Sequence, residues 1–538
     1  MVKTIQLSSL AKVFSKKIYG SKIKTATVAR GQSFYYQIAL KGKGAYTFEI
    51  DSKINNLISV SHVGFVPMTT PTYESCRDSD YLTKKKGNCP DPLFPLEGNS
   101  IELTGGYTSI WLCVEIPTAL ASGVYDITVK VFNKKGKRVS DEVLNLNVME
   151  AMLPEQELIF TQWFHTDCIA DVHNVDVFSE EHWALIEKYI ALAASHGMNM
   201  ILVPVLTPPL DTEVGGERTT VQLVKIVKNG EKYDFDFSQL NRFIDICLKC
   251  GIKLFEINHM FTQWGAKNAP KVIATVEGKE EKIFGWDTVA TSEEYVGFLN
   301  QLIPSIIDTF VTKGIKKDRL YFHVSDEPGG GCINEYGEAY RIIEGLIDGC
   351  HQIDALSNFG FYEKGIIKTP IVATNAIKPF LDANVENLWC YYCCAQHEKV
   401  SNRFMAMPSY RNRIIGVQMY KCSIVGFLHW GYNFYNLQYS KAHINPYEVT
   451  DAGGSFPSGD SFSVYPFENA VIPSIRLKVF KNALEDVSLL KLAEQKIGKE
   501  AVNNLIDRVA GMEVTFESYP KTEDFFTKLY EEIFKILS

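Results

Sequence analysis

Over residues 1–150, apolar and polar positions alternate in short runs broken by Gly, Asn and Lys turns. Tyr125, Ile127, Val129 and Val131 alternate with polar neighbours, the pattern of a half-buried antiparallel strand. The runs 33–40 and 109–116 also read as strands, and together these segments predict a β-sandwich over 1–150. Residues 149–154 read as a linker. Beyond Pro154 the pattern changes. Apolar runs of strand length fall at 158–164, 199–206, 252–259, 319–325, 355–360, 370–374, 386–392 and 425–430. Helical periodicity fills many of the gaps, at 180–196, 237–250, 292–312 and 336–352. Eight strands with crossovers predict a (β/α)8, TIM-like barrel over 155–474. Residues 475–538 read as a helical extension packed outside it, with Leu489, Leu490, Leu492 and Ala493 on an apolar stripe. The fold class expected is therefore multidomain, β followed by α/β.

Composition narrows the function. At 46% hydrophobic and 22% charged residues the chain has a globular profile, and its net charge of −8 argues against nucleic acid as a partner. No apolar stretch approaches the ~20 residues a membrane-spanning helix needs. Residues 1–6 lack the apolar core of a signal peptide, so a cytoplasmic location is expected, with secretion possible if a leader has been removed. Of the 12 cysteines, Cys247 and Cys250, and Cys390 and Cys393, have the spacing of half a zinc site each. The first pair falls on a helical pattern and the second runs through a strand, so both read as free thiols, and neither metal nor cofactor is expected.

The richest chemistry lies at the end of the fourth barrel strand, in Ser325-Asp326-Glu327-Pro328, followed by Gly329, Gly330 and Gly331. Two adjacent carboxylates cannot both ionise freely at close range, so one pKa rises. A carboxylic acid that keeps its proton near neutrality is what glycosidic cleavage asks of a general acid. Active sites of such barrels form at the C-terminal ends of the strands. The other strand ends supply His165 and Asp167, then Asp211 and Arg218, His259 and Trp264, Trp389 and Tyr391, and Trp430 and Asn433. Aromatic platforms beside carboxylates and guanidinium groups suit a sugar, whose faces are apolar and whose rim is polar. Alternation puts Trp389 and Tyr391 on one side of their strand.

The dyad motif resembles the catalytic Asp-Glu pair of glycoside hydrolase family 123. Thr207 to Thr212, Asn402-Arg403-Phe404 with Gly426 to Asn433, and Asp451 to Asp460 resemble the related domain of unknown function 4091. The resemblance spans roughly residues 60 to 490. It implies a β-N-acetylgalactosaminidase acting on an oligosaccharide or glycoconjugate. In this mechanism the substrate's own 2-acetamido oxygen attacks the anomeric carbon, giving an oxazolinium-type intermediate. Glu327 is then the general acid/base and Asp326 orients the acetamido group. Tyr391 is expected to donate to the acetamido carbonyl, and Trp389 or Trp430 to wall its methyl. Two alternatives stand beside this reading. One is a conventional glycosidase with Asp167, Asp211 or Glu256 as second carboxylate. The other is a sugar-binding protein without turnover.

Overall fold

The structure is a computed structural model that describes residues 2–96 and 98–538. The N-terminal region forms one eight-stranded sheet. Its order is Thr25–Arg30, Arg138–Met152, Gly123–Asn133, Ser33–Asp51, Ser100–Glu115, Ile58–Met68 and Gly87–Pro95, with Lys3–Ser8 also paired to Ser33–Asp51. The sheet folds over far enough for its first strand to reach Arg138–Met152, where Gln6 Nε2 donates to Val143 O at 3.0 Å. Strand alternation explains why 33–40 is apolar almost throughout. Tyr36, Ile38 and Leu40 pack into the sheet's own core with Ile110 and Leu112. Tyr35, Trp111 and Cys113, on the opposite face, join the core shared with the rest of the chain.

The second sheet has eight parallel strands. In chain order they are β1 (Ile159–Gln162), β2 (Met200–Val203), β3 (Leu254–Ile257), β4 (Leu320–Phe322), β5 (His351–Leu356), β6 (Thr369–Ala373), β7 (Trp389–Tyr391) and β8 (Gly426–His429). They are ordered β1-β8-β7-β6-β5-β4-β3-β2. Asn199 stitches β1 to β2 and closes the ring. Its N–H donates to Phe160 O at 3.2 Å, and its Oδ1 accepts from Phe160 N–H at 2.8 Å. Met200, Leu202, Tyr321, Ile353, Ala355, Ile371, Trp389 and Leu428 fill the interior of this barrel-like sheet. Alternate residues such as Ile201, Phe255, Phe322 and Phe427 face the helices. Helices occur in every crossover, though Gly360–Glu363 and Lys378–Asp382 are only one turn long.

Two sequence-based boundaries shift. The strand expected at 355–360 lies at His351–Leu356, and the helix expected over 336–352 is Ile333–Glu344. The cause is polarity: His351, Gln352 and Asp354 sit inside β5, and the last of them is buried for a specific purpose described below. Helix Ile475–Ile497, the first of the C-terminal helices, lays Phe480 on Phe160 (ring centroids 4.8 Å) and Phe427 (5.0 Å), and so covers β1 and β8. Just inside its N-terminus, Arg476 donates to Asp91 of the N-terminal sheet at 3.0 and 2.8 Å, with Tyr465 OH on the same carboxylate at 2.6 Å, all of them buried. Among the described residues no helix is long and apolar enough to cross a membrane.

Candidate active site

The floor of the site, inside the barrel-like sheet, is a buried charge network. His323, one residue past β4, uses both ring nitrogens on carboxylates: Nε2 to Glu256 at 2.6 Å and Nδ1 to Asp354 at 2.9 Å. Burial alone would drive an imidazolium's pKa down, but the hydrogen bonds to Asp354 and Glu256 overcome that and raise it to about 9. Glu256 also accepts from Thr161 Oγ1 and from Trp163 Nε1, both at 2.7 Å. Asp354 accepts the Val324 N–H at 3.1 Å, the Ser325 N–H at 3.4 Å and the Tyr336 hydroxyl. Asp354 therefore grips the peptides that lead directly into Asp326. His259 stacks on His323 with ring centroids 4.3 Å apart, and burial followed by the His323 charge keeps it neutral.

Above this floor opens a cavity of about 200 Å³ whose wall includes Trp163, Asp211, Gln263, Trp264, Asp326, Glu327, Tyr391, Trp430, Tyr439 and Phe456. Glu327 has φ +40°, its N–H donates to Ala355 O of β5 at 3.1 Å, and its carboxylate accepts the Tyr391 hydroxyl at 2.6 Å. A left-handed conformation at a non-glycine residue persists only where surrounding contacts impose it. Asp326 is half-buried. Desolvation, then the neighbouring Glu327 charge, push its pKa well above the ordinary carboxylate range, while the His323 charge pulls the other way. Asp211, also left-handed at φ +39°, is raised to about 6 by burial.

Of the residues singled out from sequence, the structure brings Asp326, Glu327, Tyr391, Trp430, Asp211 and Trp264 together around this cavity. Trp430 is held there by its Nε1–H donating to Asp460 Oδ2 at 3.0 Å. Six others lie outside its lining. Arg218 clamps Asp167 through two hydrogen bonds of 2.7 and 2.8 Å, both side chains only 3% exposed, and spends a further donor on His165 Nδ1. His165 donates its other nitrogen to Trp430 O at 2.9 Å. Asn433 exchanges hydrogen bonds with the His165 backbone at 2.9 Å each way. His259 is sealed in the floor, as above. Trp389 shares Tyr391's face but enters two residues earlier, which is ~7 Å deeper at the strand rise, where it packs on Gly426 and Tyr321. These residues build the frame rather than the wall.

Sequence reasoning did not find Gln263, Tyr439 or Phe456, which reach the wall from irregular loops. It also did not connect His323 with Asp354. The polar run within β5 was the available signal for that network. Two long motifs combine wall and brace: they supply Trp430 and Phe456 to the cavity and hold the chain behind it. Arg403 donates to His429 Nδ1 at 2.8 Å and to the Gly431 carbonyl, and Asp451 accepts the Thr70 hydroxyl at 2.7 Å.

Residues 163–493, well over half of the chain, match the family model described as glycoside hydrolase 123, catalytic domain. Among solved structures, a family 123 glycoside hydrolase from Clostridium perfringens superimposes with TM-score 0.74 at 15% identity, over 100% of this chain and 97% of that one. A β-glucuronidase from Parabacteroides merdae (TM-score 0.32, 10% identity, 89% of this chain and 51% of that one) is far more distant. So is an endo-β-1,4-mannanase from Thermotoga petrophila (0.36, 12%, 62% and 77%). No curated protein matches the chain.

Proposed function

As the chain belongs to glycoside hydrolase family 123, we propose that it releases a terminal 2-acetamido sugar, as a β-N-acetylgalactosaminidase, with the substrate's own amide as nucleophile. We further read the barrel-like sheet as a (β/α)8 barrel and the folded-over N-terminal sheet as a sandwich. The observation that carries the mechanism is the placement of Asp326 and Glu327, consecutive in the chain, in the wall of one cavity with the Tyr391 hydroxyl 2.6 Å from Glu327. Neighbouring residues on one wall are poorly arranged to attack a sugar from opposite faces. They are well arranged to reach neighbouring groups of the substrate, the acetamido nitrogen and the leaving oxygen.

In this reading Glu327 gives its proton to the glycosidic oxygen as the C1–O bond breaks and the acetamido oxygen bonds to C1. Asp326 accepts the amide N–H and balances the positive charge that develops on nitrogen. Water then attacks C1, Glu327 takes its proton, and the C1–amide oxygen bond breaks. Two inversions retain the anomeric configuration. The floor imidazolium lies three residues before Asp326 and favours its ionised form as that charge develops.

Asp211 supports the second reading, a conventional glycosidase, because it is the third carboxylate in the wall. Its pKa near 6 and the Tyr439 N–H held on Oδ2 at 3.0 Å make it the weaker nucleophile. A panel of nitrophenyl glycosides separates the readings. Turnover of the N-acetylgalactosaminide, inhibition by a thiazoline mimic and silence on the galactoside support amide assistance; efficient galactoside turnover sinks it. Glu327→Gln should lower kcat by ~10²-fold or more without unfolding the protein, and near-normal turnover of a poor leaving group would remove Glu327 from the role.

A further inference from the structure

We propose that Trp264 and Tyr439 form a stacking platform for the leaving sugar, so that the preferred substrate carries a pyranose, not a small alkyl group, on the far side of the scissile bond. This rests on the hydrolase reading above and names the part of the substrate that lies outside the cavity. The cavity of about 200 Å³ is closed below by Trp163 and Leu428. One ring in the pocket leaves the next ring at the opening, beside the carboxylate that protonates the bridging oxygen. Of the two rings standing at that place, Tyr439 is half-buried and Trp264 is the more open. Trp264 is 40% exposed, against 3% for Trp163 and 1% for Trp389. Burial is the ordinary state of a tryptophan in a core, so an exposed indole on the rim of a cavity asks for an occupant.

The backbone shows that this exposure is built. Trp264, Gly265 and Ala266 have φ +63°, +131° and +56°, three left-handed residues in succession. A Cβ at Gly265 would fall 2.8 Å from Cys332 Sγ, so the turn requires glycine there. Tyr439 and Ser440 are left-handed too, at +62° and +54°. Such conformations cost free energy at bulky residues and persist where other contacts over-determine them. Those contacts tie the platform to the catalytic wall. Trp264 N–H donates to the backbone oxygen of Asp326 at 2.8 Å, and Asp211 Oδ2 accepts the Tyr439 N–H. The two rings meet edge to face, centroids 5.9 Å apart at 89°. The exposed part of the indole, braced by the phenol, offers an apolar surface to the C–H face of a pyranose.

The test compares two substrates in wild type and in Trp264→Ala, Tyr439→Ala and Trp264→Phe. One is the methyl β-glycoside of N-acetylgalactosamine, whose aglycone is too small to reach the platform. The other is a β-linked N-acetylgalactosaminyl-galactose disaccharide. Trp264→Ala should lower kcat/KM about tenfold more on the disaccharide than on the methyl glycoside, with Trp264→Phe restoring part of that difference. Tyr439→Ala should shift the same ratio in the same direction, which keeps the test open if one variant folds poorly. Equal losses on both substrates, or no loss on either, overturn the platform while the hydrolase reading stands. Wild-type inactivity on both substrates overturns the two together.

Discussion

Replacing His323 with glutamine removes the cation held between Glu256 and Asp354, and the consequence for stability can be worked out in advance. The folded protein holds the His323 proton to about pH 9, whereas an unfolded chain releases it near the ordinary 6.5. Below 6.5 both states carry the proton and the stabilisation is complete. Between 6.5 and about 9 only the folded state keeps it, so stability falls as pH rises, by ~1.4 kcal/mol per unit. From about pH 7 to about pH 8.5 the loss is therefore ~2 kcal/mol. The groups facing this ring are Glu256, Asp354, Asp326 and the neutral His259. Other raised acids, such as Asp460 and Glu485 near 7, titrate elsewhere in the fold and are common to both proteins. Urea unfolding of wild type and His323→Gln across this range isolates the contribution. The stability advantage of wild type should shrink by ~2 kcal/mol between the two pH limits. An advantage that stays constant with pH would mean that the folded protein does not hold this proton, and the charged floor beneath Asp326 would have to be abandoned.

Two further substitutions test the frame. Gly426→Ala would place a Cβ 2.1 Å from the Trp389 ring in the packed interior, so a loss of ~1–3 kcal/mol is expected as a lower unfolding midpoint; an unchanged midpoint would show that Trp389 can move aside. Asp167→Asn strands the buried Arg218 charge and should cost ~3–5 kcal/mol of stability. If Arg218 met the substrate directly, KM would rise out of proportion to that loss.

The strand order of the barrel-like sheet and the dyad's place at a strand end were legible because both rest on patterns that hydrophobicity enforces. β1 to β4 and β6 to β8 announce themselves as apolar runs between turns. β5 does not, because Gln352 and Asp354 are buried in it and Asp354 spends its polarity on His323 and the backbone of β4. A period reading treats such residues as surface and extends the preceding helix through them. The wall residues divided along a similar line. Strand alternation places Tyr391 and Trp389 on one face but says nothing of depth along the barrel axis, and depth is what separates a pocket residue from a core one. The Arg218–Asp167 pair was misleading for another reason: a buried ion pair and a substrate clamp use the same residue types, and only the partner distinguishes them. Gln263, Tyr439 and Phe456 come from loops whose course is set by left-handed turns, and periodicity carries no information about those.

Asp91 and Arg476 stand 385 residues apart and neutralise each other out of reach of water. Asp91 finds its counterpart only once residue 476 has been made, so this β layer is not a detachable accessory to the hydrolytic half. Anyone wishing to remove that layer would have to exchange Arg476 and Tyr465 for apolar side chains as well, since Asp91 leaves with the layer and a guanidinium would be abandoned in a dry seam.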